Sequence, residues 1–350
     1  MSKPKSATAP KSKERTIDPR LTPLLENIPN RRKARLIADL LETILGIGAD
    51  DAVIADLKLF RRALAEMRYA NRIFSSYRDI RKVAVFGSAR TKPEMAEFQL
   101  AVEFSRKMTE AGYMIITGGG DGIMGAAQKG AGAEQSFGLN IRLPFEQKAN
   151  ETIEGDPKLI DFHYFFTRKL SFMKETHAFV LLPGGFGTQD EGFESLTLMQ
   201  TGKTQIVPII LLDKVNGHYW ETWRRFLDND LLQQGLISPS DFHLFRIVHS
   251  AEDAVLEIEK FYRVFHSYRW AREKMVIRIN RELTASALSE LNAKFREILA
   301  DGKIEQTGPL PEEKDEPHLA DRKRIVLVPA KKDFGLLRLL INEINNSETH

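Results

Sequence analysis

Between residues 82 and 250 the chain alternates short apolar runs with amphipathic stretches of helical period, which constrains its fold more than any other feature. The runs are VAVFG (83–87), YMIITGGG (113–120), GLNIRLP (138–144), AFVLLPGG (178–185), IVPIILL (206–212) and FRIVHS (245–250). Strands this apolar are buried on both faces, and a helix between successive strands lets them run parallel. The expected fold class is α/β, with a doubly wound parallel sheet over about 82–265.

Three of these runs end directly in glycine: VFGSAR (85–90), TGGGDGIMGAA (117–127) and LPGGFGTQDE (182–191). In a parallel sheet all three ends lie along one rim, where ligands of open α/β sheets bind. Glycine lets backbone N–H groups approach a ligand, and a helix N-terminus adds unpaired donors and partial positive charge. Phosphate is the ligand best matched to such a rim. Its candidate contacts are Gly87, Ser88, Gly119, Gly120 and Met124 from the first two loops, and Gly184, Gly185, Phe186, Gly187 and Thr188 from the third.

Two motifs mislead. GDGIMG (120–125) matches GxGxxG, but the next strand ends in IRLP, with no acid for a ribose diol. GKT (202–204) lacks the P-loop's first glycine, since Thr197 stands there, and it precedes a strand. TQDE (188–191) also fits a capping box, with Thr188 as N-cap and Glu191 three residues on. A capping box needs neither PGGFG before it nor cations upstream. Such cations stand in FFTRKLSFMKE (165–175), where Arg168 and Lys169 begin a helical pattern against its dipole. A local rule broken at a sheet rim points to function.

PGGFGTQDE and TRKLSFM resemble the PGGxGTxxE and RKxxM motifs of the LOG (Lonely Guy) family, once labelled "lysine decarboxylase". FGSAR and TGGGDGIMGAAQKGA resemble its other two loops, and the similarity covers about residues 80–262. The resemblance implies a Rossmann-like fold, a homodimer or higher homo-oligomer, and hydrolysis of the N-glycosidic bond of nucleoside 5′-monophosphates to free base and ribose 5-phosphate. It implies Arg168 and Glu191 as the catalytic pair, with Lys169 beside it. Gly184, Gly185, Gly187 and Thr188 match the phosphate loop, and Thr197 a substrate-contacting threonine. Asn150 falls where plant-type members carry a substrate-binding glutamate, and Gln189 and Asp190 replace a Leu and a Glu. Thr197 lies six residues beyond Glu191, about 120° round a helix. It is therefore expected to serve a neighbouring subunit's site, unless the helix is irregular. Lysine decarboxylation would need pyridoxal phosphate on a Schiff-base lysine, and no segment offers that site. The competing reading is a non-catalytic nucleotide or molybdenum-cofactor carrier, which would need neither Arg168 nor Glu191.

Composition sets the remaining limits. The 350 residues contain no cysteine, which excludes disulfides, thiolate catalysis and Cys-ligated metals. Eight scattered histidines and a net charge of +3 argue against a zinc site and against specific nucleic-acid binding. No cofactor or metal is expected, no membrane span is visible, and the cytoplasm is the default location. Residues 1–28 are expected to be a disordered basic tail, and 29–78 a helical extension. In that extension Leu36, Leu40 and Leu41, then Val53, Leu57, Phe60 and Leu64, form stripes expected to pack on a core, with Gly46 a helix stop. Residues 79–268 form the catalytic domain of this reading. Residues 269–350 form a small C-terminal α+β module of order β-α-β-β-α, with a mobile loop near 308–321. The extension and the module could also sense a small-molecule effector such as an alarmone.

Overall fold

The computed structural model describes residues 19–143, 148–330 and 333–350, so most of the expected tail lies outside the described residues. Its contacts divide the chain into two compact units, up to Ala65 and Glu66–His350. The first carries α1 (Thr22–Leu25), α2 (Arg31–Ala49) and most of α3 (Ile54–Phe74). Asn30 caps α2 by accepting the Lys33 N–H at 3.0 Å. Gly46 is not the stop, because the helix runs on to Ala49. Leu21, Leu25 and Ala38 make a small cluster. The stripe residues expected on a core, including Leu36, Leu40, Val53 and Phe60, are exposed in this chain.

The second unit is built on a seven-stranded parallel sheet. Its strands are β1 (Lys82–Phe86), β2 (Met114–Thr117), β3 (Ser136–Ile141), β4 (Leu159–Phe162), β5 (Ala178–Leu181), β6 (Ile209–Leu212) and β7 (Phe245–Val248), in the order β4-β3-β2-β1-β5-β6-β7. β4 is the strand the apolar pattern misses. At the edge, with residue burial that alternates, LIDF carries too little apolar signal. The central strands are buried on both faces as expected, and Val83 and Val85 of β1 face one core while Ala84 and Phe86 face the other.

The connecting helices are α4 (Ala96–Glu110), α5 (Ile123–Ala131), α6 (Phe165–Glu175), α7 (Phe186–Gln200), α8 (Tyr219–Phe226) and α9 (Ala251–Phe261). Phe104 of α4, Ala126 of α5 and Ile258 of α9 cover one face. Phe172 of α6, Met199 of α7 and Trp220 of α8 cover the other, together with Ala70 and Phe74 from the last turns of α3. Those turns thus belong with the sheet rather than with the extension.

The C-terminal part has the order β-β-α-β-β-α, not the expected β-α-β-β-α. It comprises β8 (Phe265–Ala271), β9 (Lys274–Ile279), α10 (Ala285–Lys294), β10 (Leu299–Thr307), β11 (Lys323–Pro329) and α11 (Phe334–Asn346), with an antiparallel sheet ordered β10-β11-β9-β8. The segment TASALSELNAKFREILADG (284–302), helical in its sequence pattern, is α-helical only to Lys294, and its last residues belong to β10. Ile277, Leu327, Leu340 and Ile344 share one core with α4, α5 and α9 of the parallel sheet. Residues 308–321 contain two short 3₁₀ turns anchored by buried Glu313, which receives Arg278 Nε and Arg324 Nε at 2.9 Å each. No helix of the described residues is long and apolar enough to cross a membrane.

Candidate active site

β1 and β5 are hydrogen-bonded neighbours, and the chain leaves them in opposite directions, towards β2 and β6. This switch point of a parallel sheet leaves a crevice at the carboxyl ends of the strands. A cavity of about 730 Å³ occupies it. Its walls are Gly87–Arg90 after β1, Gly118 and Met124 around the β2–α5 turn, Asn140 and Ile141 of β3, and Gly184–Gln189 after β5. Arg168 and Phe172 of α6, Glu191 of α7 and Tyr219 of α8 complete it.

The loops interlock. Ser88 N–H donates to the Pro183 carbonyl at 3.2 Å, and Ile123 N–H to the Ser88 carbonyl at 3.0 Å. Gly122 has φ +65°, and a Cβ there would fall 2.3 Å from Ser88 O. A Cβ on Gly184 would fall 2.1 Å from Thr188 Oγ1. Both positions therefore exclude a side chain. Around Gly185 and Gly187 the space is open, as a loop that admits a ligand against its backbone requires. The Tyr219 hydroxyl donates to the Gly184 carbonyl and accepts from Gln189 Nε2 at 2.7 Å, bracing the loop.

α7 starts at Phe186 with Gly185 as N-cap, three residues earlier than a TQDE capping box would place it, and no side chain caps it. Its first helical bond joins Gln189 N–H to the Gly185 carbonyl at 3.1 Å. The N–H groups of Phe186, Gly187 and Thr188 precede that bond and have no intrahelical acceptor. They make the start of α7 a natural anion seat.

One turn further on, Glu191 is 3% exposed. Its Oε1 lies 3.6 Å from Arg168 Nη2, and its Oε2 lies 3.9 Å from Lys169 Nζ. Neither distance is a hydrogen bond, and Glu191 Oε2 and Arg168 Nε are buried with no hydrogen-bond partner. Burial pushes the Glu191 carboxyl up to about 7, and the pull of Lys169 and Arg168 only partly opposes it. Burial lowers Arg168, with Glu191 and Asp190 working the other way. Burial also works against the Lys169 charge, yet its bonds to Asp190 and Glu194 (2.7 and 2.5 Å) leave it raised. The result is a poised carboxyl and a forked cation at the wall of one cavity.

An acid from another helix braces the start of α6. Glu66 of α3 accepts His163 N–H at 3.0 Å and the Thr167 hydroxyl at 2.7 Å. A carboxylate at a helix N-terminus favours the dipole that Arg168 and Lys169 oppose.

Sequence comparison agrees with this geometry. A family model described as "Possible lysine decarboxylase" matches residues 124–258. A cytokinin riboside 5′-monophosphate phosphoribohydrolase of Mycobacterium tuberculosis is 32% identical over 176 residues, which are 49% of this chain and 90% of that protein. The chain belongs to the LOG family. A probable cytokinin riboside 5′-monophosphate phosphoribohydrolase of Oryza sativa subsp. japonica is 31% identical, over 52% of this chain and 72% of its own length. One from Arabidopsis thaliana is 26% identical over 52% and 84%. A molybdenum cofactor binding protein of Rippkaea orientalis is a distant structural neighbour, with 21% identity, 51% of this chain and 96% of that chain covered, and a TM-score of 0.35.

Of the residues the LOG motifs single out, the structure brings Arg168, Glu191, Gly87, Ser88, Met124, Gly184, Gly185, Phe186, Gly187 and Thr188 to the one cavity. Lys169 sits behind Glu191. Gly119 and Gly120 lie behind the wall, where their carbonyls accept Asn150 Nδ2 at 3.0 and 2.9 Å. Asn150 is buried and its amide also reaches Gln128 Oε1 at 2.5 Å, so it shapes the loop from behind. Thr197 does not line the cavity. It is exposed, donates to the Phe193 carbonyl at 2.7 Å, and borders a separate small cleft with Phe193 and Phe242. Arg90, Asn140 and Tyr219 line the cavity without having been singled out, and so does Gln189, noted only as a replacement. Arg90 and Gln189 stood inside quoted motifs. Asn140 and Tyr219 carry no local signal and reach the site only through strand order and the placing of α8. Among the described residues no cluster of His, Asp and Glu is arranged to hold a metal.

Proposed function

We propose that this chain hydrolyses the N-glycosidic bond of nucleoside 5′-monophosphates, releasing the base and ribose 5-phosphate. The observation that carries this reading is a buried carboxyl, Glu191, one turn beyond an anion seat in the same cavity. A carboxylate weakens simple binding of a phosphate monoester, so its use lies in the transition state. There the departing base leaves positive charge on the ribose, as in glycoside hydrolysis.

In this reading the phosphate rests on the N–H groups of Phe186, Gly187 and Thr188, and C1′ lies over Glu191. The C1′–N bond breaks, and the bonding pair leaves with the base. Ionised Glu191 stabilises the ribosyl cation and takes a proton from the water whose oxygen bonds to C1′. The same proton is returned to the base nitrogen, which a carboxyl near pH 7 does readily. Arg168 orients phosphate or ribose with its fork. The curated LOG relatives are named for cytokinin riboside 5′-monophosphates, which makes N6-substituted adenine nucleotides the first candidates.

The test is release of free base from AMP, GMP, IMP, CMP, UMP and isopentenyladenosine monophosphate, comparing wild type with Glu191→Ala. Release that vanishes in the variant supports the reading. Binding without release from any of them favours a carrier. The same reading expects a homo-oligomer. Phe165 and Phe166 of α6 are exposed, and Phe186, at the cavity itself, is 96% exposed. Light scattering at micromolar concentration should give at least a dimer mass, and Phe186→Asp should lower it.

A further inference from the structure

A second large cavity, about 1000 Å³, lies at the opposite end of the parallel sheet. It opens among the segments that lead into β1, β2, β5 and β6 and is closed by β8, β9 and the 308–321 excursion. The reaction proposed above uses none of its residues.

Its chemistry is cationic. Arg78, Arg81, Lys174, Arg278 and Arg322 line it, against two carboxylates, Asp79 and Glu316. Glu316 is already engaged by Arg269 and Arg278, and Lys174 is paired with Glu175. Arg78, Arg81 and Arg322 make no ion pair among the described residues, and Arg81 and Arg322 are the two less exposed of them. The Arg81 guanidinium lies over the Tyr262 ring, 4.1 Å from its centroid, and Arg322 donates to Asn280 Oδ1. Burial lowers Arg322, and the charged groups that act on it, Arg81 and Arg324, are cations that lower it further. Two histidines share the crowd. Burial and the cations Lys82 and Arg81 hold His177 down to about 4, and burial with Arg322, Arg81, Arg278 and His318 does the same to His266. Helix dipoles give only part of the reason for so much like charge. α4 and α6 end here and favour cations at their last turns, but Arg278 and Arg322 come from the C-terminal strand module. Guanidinium forks converging on a cavity are the usual recognition chemistry for phosphate.

We propose that this cavity binds a small polyanion carrying two or more phosphate groups, gripped by Arg81 and Arg322. Its position gives the ligand a route to the first cavity. α6 has Arg168 and Lys169 beside Glu191, and its Met173, with Thr176 and His177 just past its end, in the wall of the second. Its eleven residues span about 16 Å. A ligand seated against Thr176 presses on the helix that places Arg168.

The test is calorimetric titration of inorganic tripolyphosphate into the full chain, which reads binding without reference to any reaction. Thr188→Glu blocks the glycine loop of the first cavity, and Arg322→Glu reverses a charge in the second. Binding that survives Thr188→Glu and weakens at least about tenfold in Arg322→Glu is expected. Arg322→Lys should keep most of the affinity and the wild-type melting temperature. If Arg322→Glu does not fold, Arg81→Gln is read in its place. Absence of binding in wild type, its complete loss in Thr188→Glu, or unchanged affinity in the folded charge variant overturns the proposal.

Discussion

Glu191 concentrates the chemistry of the molecule in one side chain. Its carboxyl is lifted from 4.5 to about 7 chiefly by burial. Acting as a carboxylate towards positive charge, it must be ionised, so kcat/KM should rise through about pH 7 to a plateau above it. Glu191→Gln should lower kcat by roughly 10²–10⁴-fold and remove that limb. Stability runs the other way. A carboxyl with a raised folded pKa stabilises most below its unfolded value and loses that contribution as pH climbs through 7. The loss is about 3 kcal/mol at most. Denaturant titrations should therefore show Glu191→Gln gaining on wild type between pH 5 and pH 8. A gain in the opposite direction would show that the cations, not burial, dominate the carboxyl. Arg168, Glu191 and the glycines were legible in the sequence because each belongs to a short motif. The perturbation of Glu191 was not, because burial sums over residues far apart in the chain.

At the scale of elements, α6 illustrates how a locally unfavourable segment is kept. Its first turn carries two cations, and Glu66 on α3 supplies the negative charge and the acceptors for its start. Glu66→Ala removes the acceptor of His163 N–H and leaves the buried Thr167 hydroxyl with the Tyr164 carbonyl alone. A loss of about 2–4 kcal/mol is expected in urea unfolding, with a raised KM for the nucleotide because Arg168 loses its seat. Unchanged KM would separate α6 placement from Glu66. Nothing near residue 66 in the sequence announces this role, since the partner lies nearly a hundred residues away. α7 gives the converse case. TQDE reads locally as a capping box, yet the helix begins at Phe186, because the tight approach of Gly184 to Thr188 draws that side chain inward.

At the scale of the molecule, the C-terminal strands are part of the core and not an appendage. Ile277, Leu340 and Ile344 share a cluster with the helices over the parallel sheet, so deletion of 274–350 should unfold the catalytic part rather than only change its kinetics. Glu313 ties the excursion at 308–321 to the antiparallel sheet, through Arg278 of β9 and Arg324 of β11. Burial alone would raise its carboxyl, but Arg324, the Leu310 amide and Arg278 hold it below the ordinary range. Its stabilising contribution is thus present above the ordinary carboxylate pKa and lost as pH falls through the lowered one. Glu313→Ala takes the carboxylate from buried Arg324 and leaves Arg278 with Glu316 alone, and should cost about 3–5 kcal/mol in urea unfolding at pH 7, with the difference from wild type shrinking in acid. A cost under 1 kcal/mol would show that solvent replaces the carboxylate.

Local pattern determined the strands with their glycine ends, the helices between them and the LOG motifs, because apolar period and turn chemistry act over a few residues. Edge strands β4, β8 and β10 escaped it, since partial exposure dilutes their apolar signal. Only tertiary structure decided that β1 lies beside β5, which brings two distant glycine loops and α6 around one carboxyl. It also decided that arginines from both ends of the chain meet at the far end of the sheet. Strand order and burial are sums over long-range contacts, and no window of sequence contains them.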